Sequence, residues 1–283
     1  GSFAGGVGVS GILIINGGTV SNNYALTDGA GIYNVSGGNI TLDGVTMIGN
    51  QADYDVNNSG NGGAITNLSG GAVLIQNNTV ISSNSAINGG GIFNAGSLTI
   101  HQSQILNNTA SSNGGGVYLD VGASGDTSNT IFSGNNAAAG GGAYSATNGA
   151  TVTNSTFYGN SSGLEFADSS DIRNVIAYAN SGLDCAGSSG AQFSLIGSGS
   201  CATNGVNGSI VGFDPLFVNA PGGDFSLSAT SPAIDGGSSG FAVSYAFDYA
   251  GNTRIQGASV DIGALESAYS TTVSMTATDN AAS

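Results

Sequence analysis

The amino-acid sequence predicts an all-β protein, a right-handed parallel β-helix of about seven coils followed by a C-terminal capping module. Three observations predict this fold: a glycine-rich motif that recurs over residues 1–180, an asparagine that follows each copy at a nearly constant interval, and short β-branched runs between the two. Glycine supplies 50 of the 283 residues and only 7% of residues are charged, which is atypical of both disordered chains and ordinary globular domains.

The first repeated motif is a glycine-rich turn followed by an aliphatic residue and often by an aromatic residue, as in residues 29–34 (GAGIYN) and 89–94 (GGGIFN). Equivalent residues of successive coils stack in a solenoid. The aliphatic residues are therefore expected to form a buried column, at Ile32, Ile65, Ile92, Val117, Ala143 and Leu164. The next residue in a strand points to the opposite face, which predicts an outward aromatic column at Tyr33, Phe93, Tyr118 and Tyr144.

The second repeated motif is a short aliphatic or β-branched segment that ends in asparagine. The interval from the aliphatic residue of the first motif to this asparagine is 16 to 19 residues in all copies. A β-sandwich, the alternative fold, would not maintain such an interval. We predict that the asparagines form an amide ladder in which each side chain bonds to the next coil, at Asn23, Asn50, Asn84, Asn108, Asn135, Asn160 and Asn180.

Short runs rich in Val, Ile and Thr lie between the motifs, as at residues 39–42 and 97–100. They are too short and too β-branched for helices, and they show no helical period. Each coil is therefore expected to contain two or three short strands. Crossovers between parallel strands are right-handed in almost all proteins, which predicts the handedness of the coil.

The charge balance restricts the partners of the protein. Two arginines, no lysine and 17 acidic residues give a formal net charge of -15. Such a surface repels phosphate backbones, so nucleic acid is not expected as a partner. No segment approaches the ~20 apolar residues of a membrane-spanning helix, so membrane insertion is not expected either. Ca²⁺ and neutral polysaccharides remain compatible with this charge, but no defined metal or cofactor site is predicted.

A different set of motifs begins at residue 180: residues 180–185 (NSGLDC), 210–216 (IVGFDPL), 231–237 (SPAIDGG) and 260–266 (VDIGALE). These motifs resemble the choice-of-anchor Q module of secreted bacterial proteins, and the preceding repeats resemble the β-helical repeats of polymorphic outer membrane proteins. The resemblance implies a secreted, extracellular or cell-surface bacterial protein. It divides the chain into β-helix repeats at 1–180, a cap at 181–266 and a tail at 267–283.

The predicted cap contains both cysteines and the residues of an expected ion pair. Cys185 and Cys201 are close in a Gly/Ser-rich stretch, and an even pair in a chain of export-like composition predicts a disulfide. Two free thiols are the alternative. Arg254 is expected to pair with Asp261 or Glu266 in a structural role, not a catalytic one.

The best local cluster of ionisable residues is Glu165, Asp168 and Asp171, beside Arg173. Two of the carboxylates could act as acid and base in glycoside cleavage, and all three could contact a cation such as Ca²⁺. A solvated turn with one salt bridge is the simpler interpretation. His101 has no serine or cysteine motif around it and is expected to be an outward polar residue. We therefore predict no catalytic residue and no enzymatic activity.

These observations favour a non-enzymatic structural or adhesive surface protein that associates with itself or with cell-surface or matrix components, including assembly into a filament. The alternative is a polysaccharide-binding or polysaccharide-cleaving β-helix similar to pectate lyases. The aromatic column could form a sugar-binding platform or a lateral contact, and simple stabilisation of the fold by aromatic stacking is the alternative. The tail at 267–283 is either a linker or a strand that adds to a neighbouring subunit.

Overall fold

The computed structural model describes residues 5–55, 59–147, 149–167, 170–187, 190–242, 244 and 246–270. Over these residues the chain forms long parallel sheets typical of a parallel β-helix, which confirms the predicted fold class. Each of the first seven coils contributes one strand to each of three long sheets, and each strand pairs with the equivalent strand of the next coil. Among the described residues, no helix is long and apolar enough to span a membrane.

The strands are short because glycine and asparagine turns interrupt each coil. The first sheet contains Val7–Val9, Ile32–Asn34, Ile65–Asn67, Ile92–Asn94, Val117–Leu119, Tyr144–Ala146, Leu164–Phe166 and Cys185–Gly187. The second sheet contains Ile12–Asn16, Asn39–Asp43, Ala72–Gln76, Ser97–His101, Ser124–Ser128, Ala150–Thr153 and Asp171–Arg173. The third sheet contains Thr19–Ser21, Thr46–Ile48, Val80–Ser82, Gln104–Leu106, Ile131–Ser133, Thr156–Tyr158, Ile176–Tyr178, Leu195–Ile196 and Ile210–Val211.

The remaining elements are small. A fourth parallel sheet, at the turn that returns from the third sheet to the first, contains Ser85–Ala86, Thr109–Ala110 and Asn136–Ala137. Phe217–Asn219 pairs antiparallel with Asp224–Leu227, and the 3-10 helices are Ala220–Gly222 and Ser239–Phe241.

The parallel coils continue beyond residue 180, so the helix is longer than its sequence repeat. The first sheet has eight strands and the third has nine, against the seven coils predicted. In the last coils the glycine-rich turn is lost, and Cys185 takes the place of the aliphatic residue, opposite Leu164. The repeat motif therefore disappears from the sequence before the coils end.

The interior is filled by the inward-facing residues of all three long sheets. One position differs from the prediction. Tyr144, expected outside, pairs with Val117 and is fully buried, whereas Ala143 belongs to the preceding turn. In this copy one extra small residue follows the three glycines before the strand begins. The extra residue shifts the register by one, which exchanges the residues on the two faces of the strand. Gly125 provides the space, because a Cβ there would lie 2.5 Å from the Tyr144 hydroxyl.

The C-terminal segment packs along the side of the helix, whereas we predicted a cap over its open end. The described residues of 217–266, which we call the lateral module, pack on the outer face of the C-terminal strands of the third sheet. Ile131 contacts the module in one apolar cluster, and Ile176 and Leu195 contact it in another. The module reaches back to the coil of Gln102, whose Nε2 donates to the backbone oxygen of Asp248 at 2.7 Å. These outward apolar residues explain why the module lies on this side.

Candidate functional site

The seven asparagines of the second motif form one continuous hydrogen-bonded ladder. The backbone N and the Nδ2 of Asn84 donate to Oδ1 of Asn108 at 3.0 and 2.9 Å. Asn108 donates in the same way to Asn135 at 3.1 and 3.0 Å, and its Nδ2 also reaches the carbonyl of Ile81. The members from Asn50 to Asn160 are almost completely buried. They hold the coils together and present nothing to a ligand.

The ladder ends on a carboxylate that the sequence did not single out. The backbone N and the Nδ2 of Asn180 donate to Oδ1 of Asp184 at 2.9 and 2.7 Å, and the Asp184 Oδ2 accepts from Ser198. A carboxylate accepts hydrogen bonds and does not donate them. Asp184 therefore terminates a ladder in which each asparagine donates to the asparagine of the next coil. Because the last asparagine of such a ladder still needs an acceptor, a carboxylate shortly after Asn180 could have been predicted as its partner.

Two further amide ladders were missed by sequence reasoning. A buried one joins Asn34 to Asn67 at 2.7 Å and Asn67 to Asn94 at 2.6 Å, and its members recur as the third residue after the glycine turn.

The other, which we call the external ladder, is half-buried and runs beside the outer face of the first sheet. Asn113 and Asn88 each donate to the preceding amide, at 3.2 and 3.0 Å, and the ladder ends at Asp28, whose Oδ1 accepts from Asn61.

Three of the four predicted aromatic residues lie on the outer face of the first sheet. Tyr33, Phe93 and Tyr118 occupy equivalent positions, and the rings of Phe93 and Tyr118 stack at 5.7 Å between centroids. Tyr144 does not belong to this column, since it is in the core. Ser145 and Glu165 continue the column instead. The structure thus brings together Tyr118 and Glu165, which were predicted as members of separate sites.

A depression of about 430 Å³ lies beside Tyr118 on this face. Its lining includes Asn113, Gly140, Ser145 and Glu165. The volume falls within the range of small-ligand sites. The Tyr118 hydroxyl, with an ordinary pKa of 10.0, is protonated at neutral pH and can donate a hydrogen bond. Burial, together with the negative charge of Asp120, raises this pKa further.

Glu165 and Asp171, the two members of the acidic trio that the structure describes, do not share a site. Glu165 is exposed on the first sheet, whereas Asp171 lies on the second sheet, with one carboxylate oxygen 3.0 Å from Nη2 of Arg173. Asp168 lies outside the described residues. Closeness in sequence therefore does not bring Glu165 and Asp171 to one face. Within the described ranges, no three His, Cys, Asp or Glu side chains are grouped so that they could hold a metal ion.

His101 has a serine partner that sequence proximity could not show. Its Nδ1 lies 2.9 Å from Oγ of Ser128 on the next coil, and Asp126 is in the same strand as Ser128. Burial lowers the pKa of His101, and the charge of Asp126 opposes this effect. Ser128 is only 3% exposed. A nucleophilic serine needs access to substrate, which this geometry does not provide.

The two cysteines are joined, as predicted. Cys185 and Cys201 form a disulfide, and both residues are buried at the end of the helix. The bond ties the last strand of the first sheet to the segment that follows Leu195–Ile196.

Comparisons with family models, with curated proteins and with solved structures give no significant match to this chain. The resemblance to the choice-of-anchor Q module therefore stays a hypothesis that rests on the motifs themselves.

A buried charged cluster holds the lateral module together. Nε of Arg254 lies 3.3 Å from Oε1 of Glu266, and each side chain is 1% exposed. Arg254 therefore pairs with Glu266, whereas the Asp261 carboxylate accepts from the backbone N of Asp235 and of Ser267. Burial outweighs the attraction of Arg254 and raises the pKa of Glu266 to about 8. Burial raises the pKa of Asp261 as well.

These pKa shifts predict that the lateral module is more stable in mild acid than in mild base. The folded state keeps the proton of Glu266 up to a pKa of about 8, whereas the ordinary value is 4.5. Unfolding between these pH values releases a proton, so the free energy of unfolding falls as the pH rises through this range. Asp261 contributes with the same sign, while Arg254 and Asp248 face the same cluster. Denaturant titrations from pH 5 to pH 9 should show this slope.

Glu266→Gln is the matched control, because glutamine imitates the protonated carboxyl and cannot titrate. We expect a flatter dependence of stability on pH in this variant. A slope equal to that of the unaltered protein would contradict the assignment to Glu266.

Proposed function

We propose that the protein is a non-enzymatic extracellular structural or adhesive protein of a bacterial surface. The observation that carries this proposal is the use of the recurring polar side chains. Three amide ladders connect successive coils along the axis of the helix. The repeat thus encodes a rod whose outer surface is built from equivalent residues of successive coils. Such a surface suits attachment to cell-surface or matrix components and assembly with further copies of the chain.

The disulfide supports the extracellular part of the proposal. Disulfides persist in oxidising compartments such as the periplasm and the cell exterior, and they are rare in the cytosol. Cys185 and Cys201 are bonded and buried, so the bond belongs to the folded core of the last coil.

The geometry favours a scaffold over a polysaccharide-cleaving enzyme. Glycoside cleavage by paired carboxylates needs two carboxyl groups on either side of one bond. Glu165 and Asp171 lie on different sheets, and Ser128 beside His101 is covered.

Two assays on the same preparation test the proposal. Incubation with a panel of acidic and neutral polysaccharides is expected to release no reducing or unsaturated ends. Beads coated with the protein are expected to adhere to bacterial cells or extracted matrix more strongly than beads coated with the unfolded chain. Turnover that disappears in Glu165→Gln would overturn the non-enzymatic proposal, and adhesion equal to that of the unfolded chain would overturn the adhesive one.

A further inference from the structure

The depression beside Tyr118 lies where a small residue, Ser145, separates two large residues of the outer column. Phe93 covers one face of the Tyr118 ring by stacking. On the other side the next residue of the column is Ser145, and the one after it is Glu165. Adjacent coils are ~4.8 Å apart, so Tyr118 and Glu165 are separated by roughly 9–10 Å of column with only a serine between them. The result is a slot with an aromatic wall, a small polar floor and a carboxylate wall.

The end of the external ladder opposite to Asp28 lies at the edge of this slot. Asn88 Oδ1 accepts hydrogen bonds from the backbone N and the Nδ2 of Asn113. The following coil continues with Ala139 and Gly140 in place of another amide. Within the part of the chain that the structure describes, no residue donates a hydrogen bond to Oδ1 of Asn113. This oxygen lies so close to Gly140 that a Cβ there would be 2.7 Å away. The slot thus has an acceptor at its side in addition to Glu165.

We propose that this slot binds a pyranose unit of a neutral polysaccharide. The apolar face of the sugar would lie on the open face of Tyr118, while Glu165 and Asn113 accept hydrogen bonds from sugar hydroxyls. Bonds to an ionised acceptor are the stronger kind. The charge of the site selects against acidic sugars, because Glu165 and the nearby Asp120 would repel their carboxylates. This inference rests on the proposed adhesive function and names the class of surface component that is recognised.

Binding of defined oligosaccharides tests the inference. We would titrate cellohexaose, xylohexaose and mannohexaose, with hexagalacturonate as the acidic counterpart, and follow binding by calorimetry and by saturation-transfer NMR. At least one neutral probe should bind, and hexagalacturonate should bind much more weakly. Failure of every neutral probe, or a preference for hexagalacturonate, would overturn the proposal.

Variants locate the site. Tyr118→Ala is expected to weaken binding at least ~10-fold, as for other aromatic anchors. Ser145→Leu keeps the Phe93–Tyr118 stack, fills the slot and should abolish binding. Tyr54→Ala is the control, since this half-exposed tyrosine pairs with Tyr24 near the other end of the helix. Binding that survives both Tyr118→Ala and Ser145→Leu in folded protein would overturn the assignment.

The bead assay separates this inference from the proposed function. Adhesion that persists unchanged in Ser145→Leu, together with no binding of the neutral probes, means that the protein is adhesive but that the slot is not the recognition site. Binding of a neutral probe by a protein whose beads do not adhere means that the slot is a sugar site and that the adhesive function is wrong.

Discussion

Asn108→Asp is expected to destabilise the β-helix by about 3–5 kcal/mol, the range for an uncompensated buried charge. Asn108 is fully buried and donates through Nδ2 to the Asn135 Oδ1 and to the carbonyl of Ile81. An ionised aspartate side chain in the same place has no hydrogen-bond donor. The Asn135 Oδ1 and the carbonyl oxygen of Ile81 would then face a carboxylate oxygen. The bonds accepted from Asn84 would remain, as would the bond from the backbone N of residue 108 to the Asn135 Oδ1. The variant therefore loses hydrogen bonds and gains repulsion at the centre of the ladder.

Asp184→Asn is the matched substitution at the end of the same ladder. The Asp184 carboxylate only accepts hydrogen bonds, and an asparagine can still accept from the backbone N and the Nδ2 of Asn180 through its Oδ1. Its Nδ2 would meet the hydroxyl of Ser198, which can accept as well as donate. We expect a loss of about 1 kcal/mol, comparable to one hydrogen bond. Urea denaturation followed by circular dichroism measures both variants. Equal losses in the two would show that the direction of the ladder does not matter.

The stacking of equivalent residues of successive coils could be predicted from the sequence, because these residues recur at regular intervals. The glycine motif sets the buried column of Ile32 and its equivalents, and the interval to the next asparagine identifies the residues that the structure joins in a ladder. Glu165 follows Leu164 as Tyr118 follows Val117, so its place in the outer column was also present in the repeat. The prediction of an acidic trio relied on the closeness of other carboxylates in the sequence and not on the position of this residue in the repeat.

Register shifts and distant contacts could not be predicted in this way. One extra small residue moves Tyr144 into the core, and only the matching cavity at Gly125 shows which register is adopted. The lateral module touches residues more than a hundred positions away, as Gln102 and Asp248 do. Such contacts depend on outward apolar residues that look the same in sequence as inward ones. The pairing of His101 with Ser128 is hidden for a similar reason, because it joins adjacent coils.

At pH 9, above the pKa of about 8 of Glu266, Arg254→Met is expected to release the lateral module from the helix. The expected loss in the free energy of unfolding of that module is about 3–5 kcal/mol, typical of a broken buried ion pair. The guanidinium of Arg254 lies among Glu266, Asp248 and Asp261, and its Nη2 donates to two backbone carbonyls. Methionine fills part of the volume but supplies neither the charge nor the donors. The carboxylates would then face one another without a cation.

The chain contains one other arginine, and it provides the control. Arg173 pairs with Asp171 at 3.0 Å, but the two side chains are 31% and 53% exposed. Exposed pairs contribute about 0–1 kcal/mol, so Arg173→Met should change stability little beyond its contact with the ring of Phe241. Limited proteolysis reports the release directly. Cleavage within residues 217–266 should become much faster in Arg254→Met while the coils stay resistant, and equal cleavage in the two variants would show that the buried pair does not hold the module.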